Sequence, residues 1–330
     1  MRVLVSGGAG YVGSHVLLDL IAAGYDPIVV DDLSKGHAAA VPQGVPLAQV
    51  SLADAAALDR VFAQYKPQAV LHFAGFTEVG ESVKFPDRFF RNNISNGMTL
   101  LDAMVAHEVK MLVFSSTAAV YGEPQTVPIP EDHPKSPTNP YGESKLFFEK
   151  ILARYDAAYG LRSISLRYFN AAGAHPSGTI GEDHNPETHL IPIILQVALG
   201  MREQLAIFGT DYPTMDGTCV RDYVHVCDLA AAHILALRAL EKGAPTDAFN
   251  LGNGQGFSVK EVLAAAEKVV GKSIPAQTAP RRAGDPAVLV AGSTRARELL
   301  GWQPRYADLH TIVETAWRWL QTHPAGYGEE

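Results

Sequence analysis

Cysteine is scarce in this chain. Only Cys219 and Cys227 occur among 330 residues. Two cysteines at that spacing make neither a disulfide framework nor a zinc-finger pattern, so reduced thiols are expected. Long apolar runs are missing as well. "HLIPIILQVALG" is too short to span a bilayer and contains a proline. Basic runs are also absent, and the net charge of −8 argues against a nucleic-acid or membrane-surface partner. The opening "RVLVSGGAGYVG" shows no charged region followed by a cleavage site, so a cytoplasmic location is expected. With 47% apolar and 19% charged residues, what remains is a globular protein of one large domain or two intimate ones.

The first half alternates short β-branched runs with helical patterns: "RVLVS", "SHVLLDLIAAG", "DPIVVDD", "QAVLHFAG", a helix near Asn93 to His107, then "KMLVFSS". Such alternation predicts βαβ units, hence an α/β doubly wound parallel sheet of Rossmann type. "RSISLRYFN" and "DAFNLG" are further strand candidates. From "AAGAHPSGTIGEDHNPETHL" onward Gly, Pro and His cluster and the alternation lapses. The expected division is a dinucleotide domain over 1–169 with a return segment at about 222–252. A smaller, interleaved substrate domain takes 170–221 and 253–330.

"VLVSGGAGYVGSH" places a strand, a glycine turn and a helix in sequence. Gly7, Gly10 and Gly13 fit G-x-x-G-x-x-G, and Gly8, Gly10 and Gly13 fit G-x-G-x-x-G. Glycine is required where a pyrophosphate approaches the backbone at a helix N-terminus. Glycines also collect in ordinary tight turns, so the motif alone is weak. The second strand, however, ends in Asp31 and Asp32, with Asp31 18 residues after Gly13. A carboxylate there meets the ribose hydroxyls and repels a 2′-phosphate, which favours NAD over NADP.

In "SPTNPYGESKLFFEK", Asn139 suits an N-cap and Pro140 the first helical position. One turn then puts Tyr141 and Lys145 on the same face. Alone, this is an ordinary surface pair. Beside a dinucleotide it reads as a proton-transfer pair. Tyrosine ionises near pH 10, and a neighbouring ammonium and a cationic nicotinamide are expected to lower that value. "MLVFSSTAAVYGEP" ends a strand in Ser115, Ser116 and Thr117, where hydroxyls face a cofactor or cap the junction.

On these motifs the chain resembles the extended short-chain dehydrogenase/reductase family, and within it the UDP-sugar 4-epimerases. The likeness runs nearly full length through "HFAGFTEVGES", "FSSTAAVYGE", "LRYFNAAGAHPSG", "LAIFGTDYPTMDGTCVRDYVHVCDLA", "NLGNGQGFSV" and "PRRAGDP". It implies reversible 4-epimerisation of UDP-glucose and UDP-galactose through a 4-keto sugar with bound NAD, in a homodimer. The implied catalytic residues are Tyr141, Lys145 and Thr117. The implied cofactor contacts add Tyr11 and Val12 in the glycine loop, Ser51 and Leu52 in "AQVSLAD", and Phe73, Ala74 and Gly75 in "HFAG". Asn92, Ser115 and Tyr168 complete them. Substrate contacts fall on Thr117, Tyr141, Asn170, His189, Leu190 and Ala206, then on Phe208, Arg221, Tyr223, Arg282, Asp285 and Leu289. Arg221 and Arg282 suit paired forks on a diphosphate, although a surface ion pair is the commoner fate of an arginine.

Departures from the family pattern carry information. Thr77 stands where the family commonly has a lysine, and Ser51 where an aspartate usually meets adenine. Leu289 is smaller than the tyrosine that accompanies strict use of unsubstituted hexoses, so activity on UDP-N-acetylglucosamine is expected. UDP-pentoses remain an alternative. Ala118 and Ala119 replace the acidic pair of the related dehydratases and cannot move protons, which argues against elimination chemistry. A non-catalytic NAD-binding sensor on the same fold is the alternative from another class. His184 and His189 straddle Pro186 without a helical face, so no metal is expected. The helices in "SNGMTLLDAMVAHEV" and "KLFFEKILARYDAAYG" are candidates for the dimer contact. The tail "ETAWRWLQTHPAGYG" is expected to be a packed helix.

Overall fold

A computed structural model describes residues 1–282 and 285–328. The centre of "PRRAGDP" and the last two residues lie outside that range. Six strands follow one another through the first half: β1 (Arg2–Ser6), β2 (Asp26–Asp31), β3 (Leu47–Gln49), β4 (Ala69–His72), β5 (Met111–Thr117) and β6 (Arg162–Tyr168). The second half adds β7 (Asn170–Ala172), β8 (Leu205–Phe208), β9 (Val220–Arg221) and β10 (Tyr223–His225). After them come β11 (Asp247–Leu251), β12 (Phe257–Ser258), β13 (Ala276–Ala279) and β14 (Val288–Leu289).

The main sheet has seven strands in the order β11-β6-β5-β4-β1-β2-β3, all parallel. The order reverses between β1 and β4, and ligands of open parallel sheets bind outside the carboxyl ends at such a reversal. There Ser6 Oγ and His72 Nδ1 join the two strand ends at 2.7 Å. Side chains of β1 alternate between faces, as strand geometry requires. Val3 and Val5 pack with Leu17, Leu229 and Leu237 on one face, and Leu4 packs with Leu101, Phe114 and Phe148 on the other. Each such fully buried side chain stabilises the fold by about 1.5–3 kcal/mol. Among the described residues no helix is long and apolar enough to cross a membrane.

The helix Pro140–Tyr159 starts where the sequence predicts. Asn139 Oδ1 accepts from Gly142 N at 2.9 Å, and Gly160 ends the helix in the left-handed region at φ 65°. A second core gathers Ile194, Val262, Ile312 and Val313 from the later helices. Small sheets attach to it, pairing β8 with β13 and placing β9 between β12 and β14. The expected division needs one correction. Residues 294–302, assigned to the smaller domain, put Ala296, Leu300 and Trp302 into the main sheet's core. Trp302 Nε1 donates to Asp228 O at 2.9 Å, anchoring the segment to the helix that precedes β11.

Candidate functional site

Gly7 follows β1 at φ 75°, and a Cβ there would stand 2.5 Å from Ala74 N, so only glycine lets the turn meet the loop after β4. At Gly10 an added Cβ would touch only Gly7 O, at 3.4 Å. The turn is thus packed behind and open in front, where the helix Tyr11–Ala22 presents its first amides without a side-chain cap. Those amides suit an anion. Asp31 accepts from Ala9 N at 3.0 Å and Leu33 N at 2.9 Å, which aims its carboxylate across the turn. Burial raises its pKa despite these donors. Asp32 instead closes a local turn with Ser34 and stays exposed. Leu52 is buried beyond β3, while Ser51 Oγ accepts from Ala53 N at 3.3 Å.

The loop Phe73–Gly75 is held from both sides. Ala74 N donates to Ser6 O, and Phe76 N is shared by Asn93 Oδ1 at 2.8 Å and Asn92 Oδ1 at 3.2 Å. Asn93 also donates to Phe76 O and to Ser144 Oγ, both at 3.0 Å. These asparagines sit in a π-turn, Arg91–Ser95, which displaces the predicted start of the helix to Asn96. Asn93 was not among the predicted site residues. Its signal was a wholly buried amide in an otherwise apolar helix face, which only burial reveals. Beside Thr77, Glu78 pairs with Lys35 at 2.9 Å, bringing a cation near the position that lacks the family's lysine.

Helix Pro140–Tyr159 approaches the end of β5 because residue 142 is glycine. A Cβ there would lie 2.5 Å from Ala119 O. Tyr141 is thereby brought to the Thr117 hydroxyl, whose hydrogen bonding favours the phenolate. Burial outweighs it and pushes the phenol up to about 12. The expected lowering therefore depends on the positive charge of a bound nicotinamide. The Lys145 ammonium donates to Ser115 O at 3.1 Å and stands 4.9 Å from the Phe114 ring centroid. Lys145 is itself only 3% exposed, and burial lowers it to about 8. Of the three hydroxyls ending β5, Ser115 bonds to the Tyr168 hydroxyl and Thr117 accepts from Ala119 N at 3.1 Å. Ser116 donates to Glu149 at 2.6 Å and belongs to a buried network with Arg167.

Several predicted substrate residues meet in pairs. Arg221 is ion-paired with Asp285, and Arg282 lies over the Phe208 ring at 4.1 Å. Leu289 is opposite Arg221 in the β14–β9 register and packs on the cluster of Val120, Tyr121, Ile129 and Leu146. Asn170 donates to Asp222 O at 3.0 Å, Tyr223 is buried, and Ala206 is exposed on β8. Leu190 opens the helix Leu190–Ala198, with His189 at the cap position. The His189 ring faces Glu182 and Glu187, not an open crevice. Although Pro186 separates the two histidines and no helical face joins them, Glu182, His184, Glu187 and His189 converge with their ligand atoms within 4.8 Å of one another.

A dinucleotide fits the chain's own donors. The glycine turn, the first amides of helix Tyr11–Ala22 and the Asp31 carboxylate line one side of the reversal. Lys145 carries three N–H donors, is almost wholly buried, and donates to one protein acceptor, Ser115 O. An ammonium so placed suits the diol of a ribose.

Residues 3–252 match the NAD dependent epimerase/dehydratase family. The chain is 55% identical over 329 residues to the UDP-glucose 4-epimerase of Lacticaseibacillus casei, covering 100% of this chain and 99% of that one. A crystal structure of a UDP-glucose 4-epimerase superimposes with a TM-score of 0.98 at 51% identity, covering 100% of both chains. The UDP-glucose 4-epimerase from Brucella ovis, in complex with NAD, gives 0.93 at 46%, covering 96% of this chain and 97% of that one.

Proposed function

We propose that this chain, which belongs to the NAD-dependent epimerase/dehydratase family, inverts carbon 4 of UDP-glucose and UDP-galactose. The observation that carries the reading is the meeting of Tyr141, Thr117 and Lys145 at the carboxyl edge of the sheet, across the reversal from the glycine turn. Full-length relatives named for that reaction support it.

Tyr141 is the proton acceptor for the sugar's 4-hydroxyl, and Thr117 bridges phenol and hydroxyl. Bound NAD supplies acceptance and return of the hydride at carbon 4. Gly7, Gly10, Tyr11, Val12 and Gly13 hold its pyrophosphate side, and Asp31 holds the adenosine ribose. Phe73, Ala74, Gly75, Asn92, Ser115 and Tyr168 would line the nicotinamide side, where Lys145 would donate to the ribose diol. After oxidation the 4-keto sugar turns over and presents its other face, and Tyr141 returns the proton. Arg221 and Arg282 hold the diphosphate, so affinity resides in the UDP portion and the sugar is free to rotate. Asn170, Leu190, Phe208, Tyr223, Asp285 and Leu289 complete the substrate side. Ala118 and Ala119 offer no acid or base for elimination.

The main sheet with residues 1–169 and the return at 222–252 is the NAD-binding part, and the later helices with β8, β9 and β12–β14 hold the UDP-sugar. The chain works in the cytoplasm as a homodimer joined through helices Asn96–Ala106 and Pro140–Tyr159. Met98, Phe147 and Tyr159 on these helices are exposed and apolar, as such a contact requires.

The test uses purified protein with UDP-galactose and no added cofactor, following formation of UDP-glucose. Turnover that Tyr141→Phe abolishes supports the reading. Failure even with NAD supplied would redirect it to UDP-pentoses and N-acetyl sugars, and failure on all of these to a sensor.

A further inference from the structure

We propose that Glu182, His184, Glu187 and His189 form a structural binding site for one zinc-class divalent cation, tying the loop before helix Leu190–Ala198 into a fixed shape. The four side chains bring two imidazole nitrogens and two carboxylate oxygens together. His184 Nδ1 lies 3.2 Å from Glu182 and 3.6 Å from Glu187, while His189 Nδ1 lies 2.6 Å and 3.3 Å from the same two groups. Ligands about 2.0–2.1 Å from a tetrahedral zinc ion stand about 3.3 Å apart. The separations of His184 from Glu182 Oε1, 3.2 Å, and of His189 from Glu187 Oε1, 3.3 Å, match that value.

Orientation favours a cation over a plain ion-pair quartet. Glu182 and Glu187 are 6% and 3% exposed, and two buried carboxylates side by side need positive charge between them. Two protonated histidines would supply it through aligned N–H···O bonds. Yet Glu182 Oε1 and His184 Nδ1, both buried and 3.2 Å apart, are not aligned for a hydrogen bond. Atoms that crowd together without aligning on one another are arranged as ligands around a common centre are. One divalent cation neutralises both carboxylates and gives Glu182 Oε1 and His184 Nδ1 a common partner. Two nitrogens with two oxygens suit zinc better than magnesium or calcium, which prefer oxygen sets.

The surrounding chain holds these ligands in place. Glu187 Oε1 accepts from Thr188 N and His189 N, both at 2.7 Å. The Glu182 carbonyl accepts from Trp319 Nε1 at 3.1 Å, so the terminal helix props the loop. His184 stands edge-on to Tyr11, 6.2 Å between ring centroids, and Tyr11 OH donates to Gly173 O at 2.5 Å. The cation would therefore stiffen the segment that lies against the glycine turn. His189 is half exposed and leaves a way in from solvent.

Chelator-treated full-length protein is titrated with Co²⁺ alone, then with Zn²⁺, and its metal content and thermal midpoint are measured. The expected results are a visible tetrahedral Co²⁺ band that Zn²⁺ abolishes, one zinc per chain, and a higher midpoint with zinc. Glu182→Gln and His184→Gln should each weaken binding at least tenfold and remove the zinc-dependent rise. Absence of a Co²⁺ band in wild-type protein overturns the site, as does a band unchanged in both variants. Should either variant fail to fold, the wild-type band and stoichiometry still decide.

Discussion

The ammonium of Lys145 donates to the carbonyl oxygen of Ser115, at the last turn of strand before Thr117, and so is fixed to the sheet instead of to the phenol one turn away. Its charge sits in a buried place, and burial lowers its pKa from 10.5 to about 8. Below pH 8 the folded, cofactor-free chain holds that charge at a cost of roughly 3 kcal/mol. Between pH 8 and 10.5 the unfolded chain binds more protons than the folded one, so this group's contribution to stability rises with pH. Lys145→Met should then unfold at higher denaturant than wild type at pH 7, with the gap closing toward pH 10.5. Its turnover should fall by about 10²–10⁴. A variant less stable at pH 7 and equally active contradicts both parts.

Burial pushes the Tyr141 phenol up to about 12. A cationic nicotinamide in the crevice should bring that value down by at least about one pH unit, and its neutral reduced form should not. Tyrosinate absorbance, taken as wild type minus Tyr141→Phe, reads this directly. Equal values for oxidised and reduced holoenzyme would remove the electrostatic part of the mechanism.

Gly142→Ala places a methyl 2.5 Å from Ala119 O. Helix and strand end must separate, carrying Tyr141 from Thr117. Turnover should drop by about a hundredfold, the scale of an ångström's misplacement, with KM for the UDP-sugar little changed. A fall in affinity with normal turnover would show that the glycine serves the substrate side instead.

Arg167 and Glu149 are 5% and 10% exposed and join through Nη2 and Oε2 at 2.6 Å. Arg167→Met leaves a buried carboxylate uncompensated and should cost about 3–5 kcal/mol of stability. Activity per folded molecule should persist, because neither side chain hydrogen-bonds to a residue proposed to hold cofactor or substrate. Denaturant unfolding and specific activity together test this.

Leu289→Tyr adds bulk beside Arg221 on the substrate side. Wild type should turn over UDP-N-acetylglucosamine and the variant should not, while both accept UDP-galactose. No N-acetyl activity in wild type would sink the idea.

Much of the molecule was legible before folding. The alternation of strands and helices, the turn at Gly7 to Gly13, Asp31, and the cap at Asn139 and Pro140 are short-range features. Their hydrogen bonds and periodicities close within a few residues, so local sequence determines them. The proximity of Tyr141 to Thr117 followed from putting a helix start and a strand end at one edge of a parallel sheet. Burial was different. It set the rise in Tyr141, the fall in Lys145 and the role of Asn93, and it depends on chain segments far away in sequence. Residues 182–189 have no repeating backbone geometry, so spacing said nothing about where their side chains point. The tertiary structure alone decided that two histidines and two glutamates converge, because the terminal helix and the glycine turn hold that loop from either side.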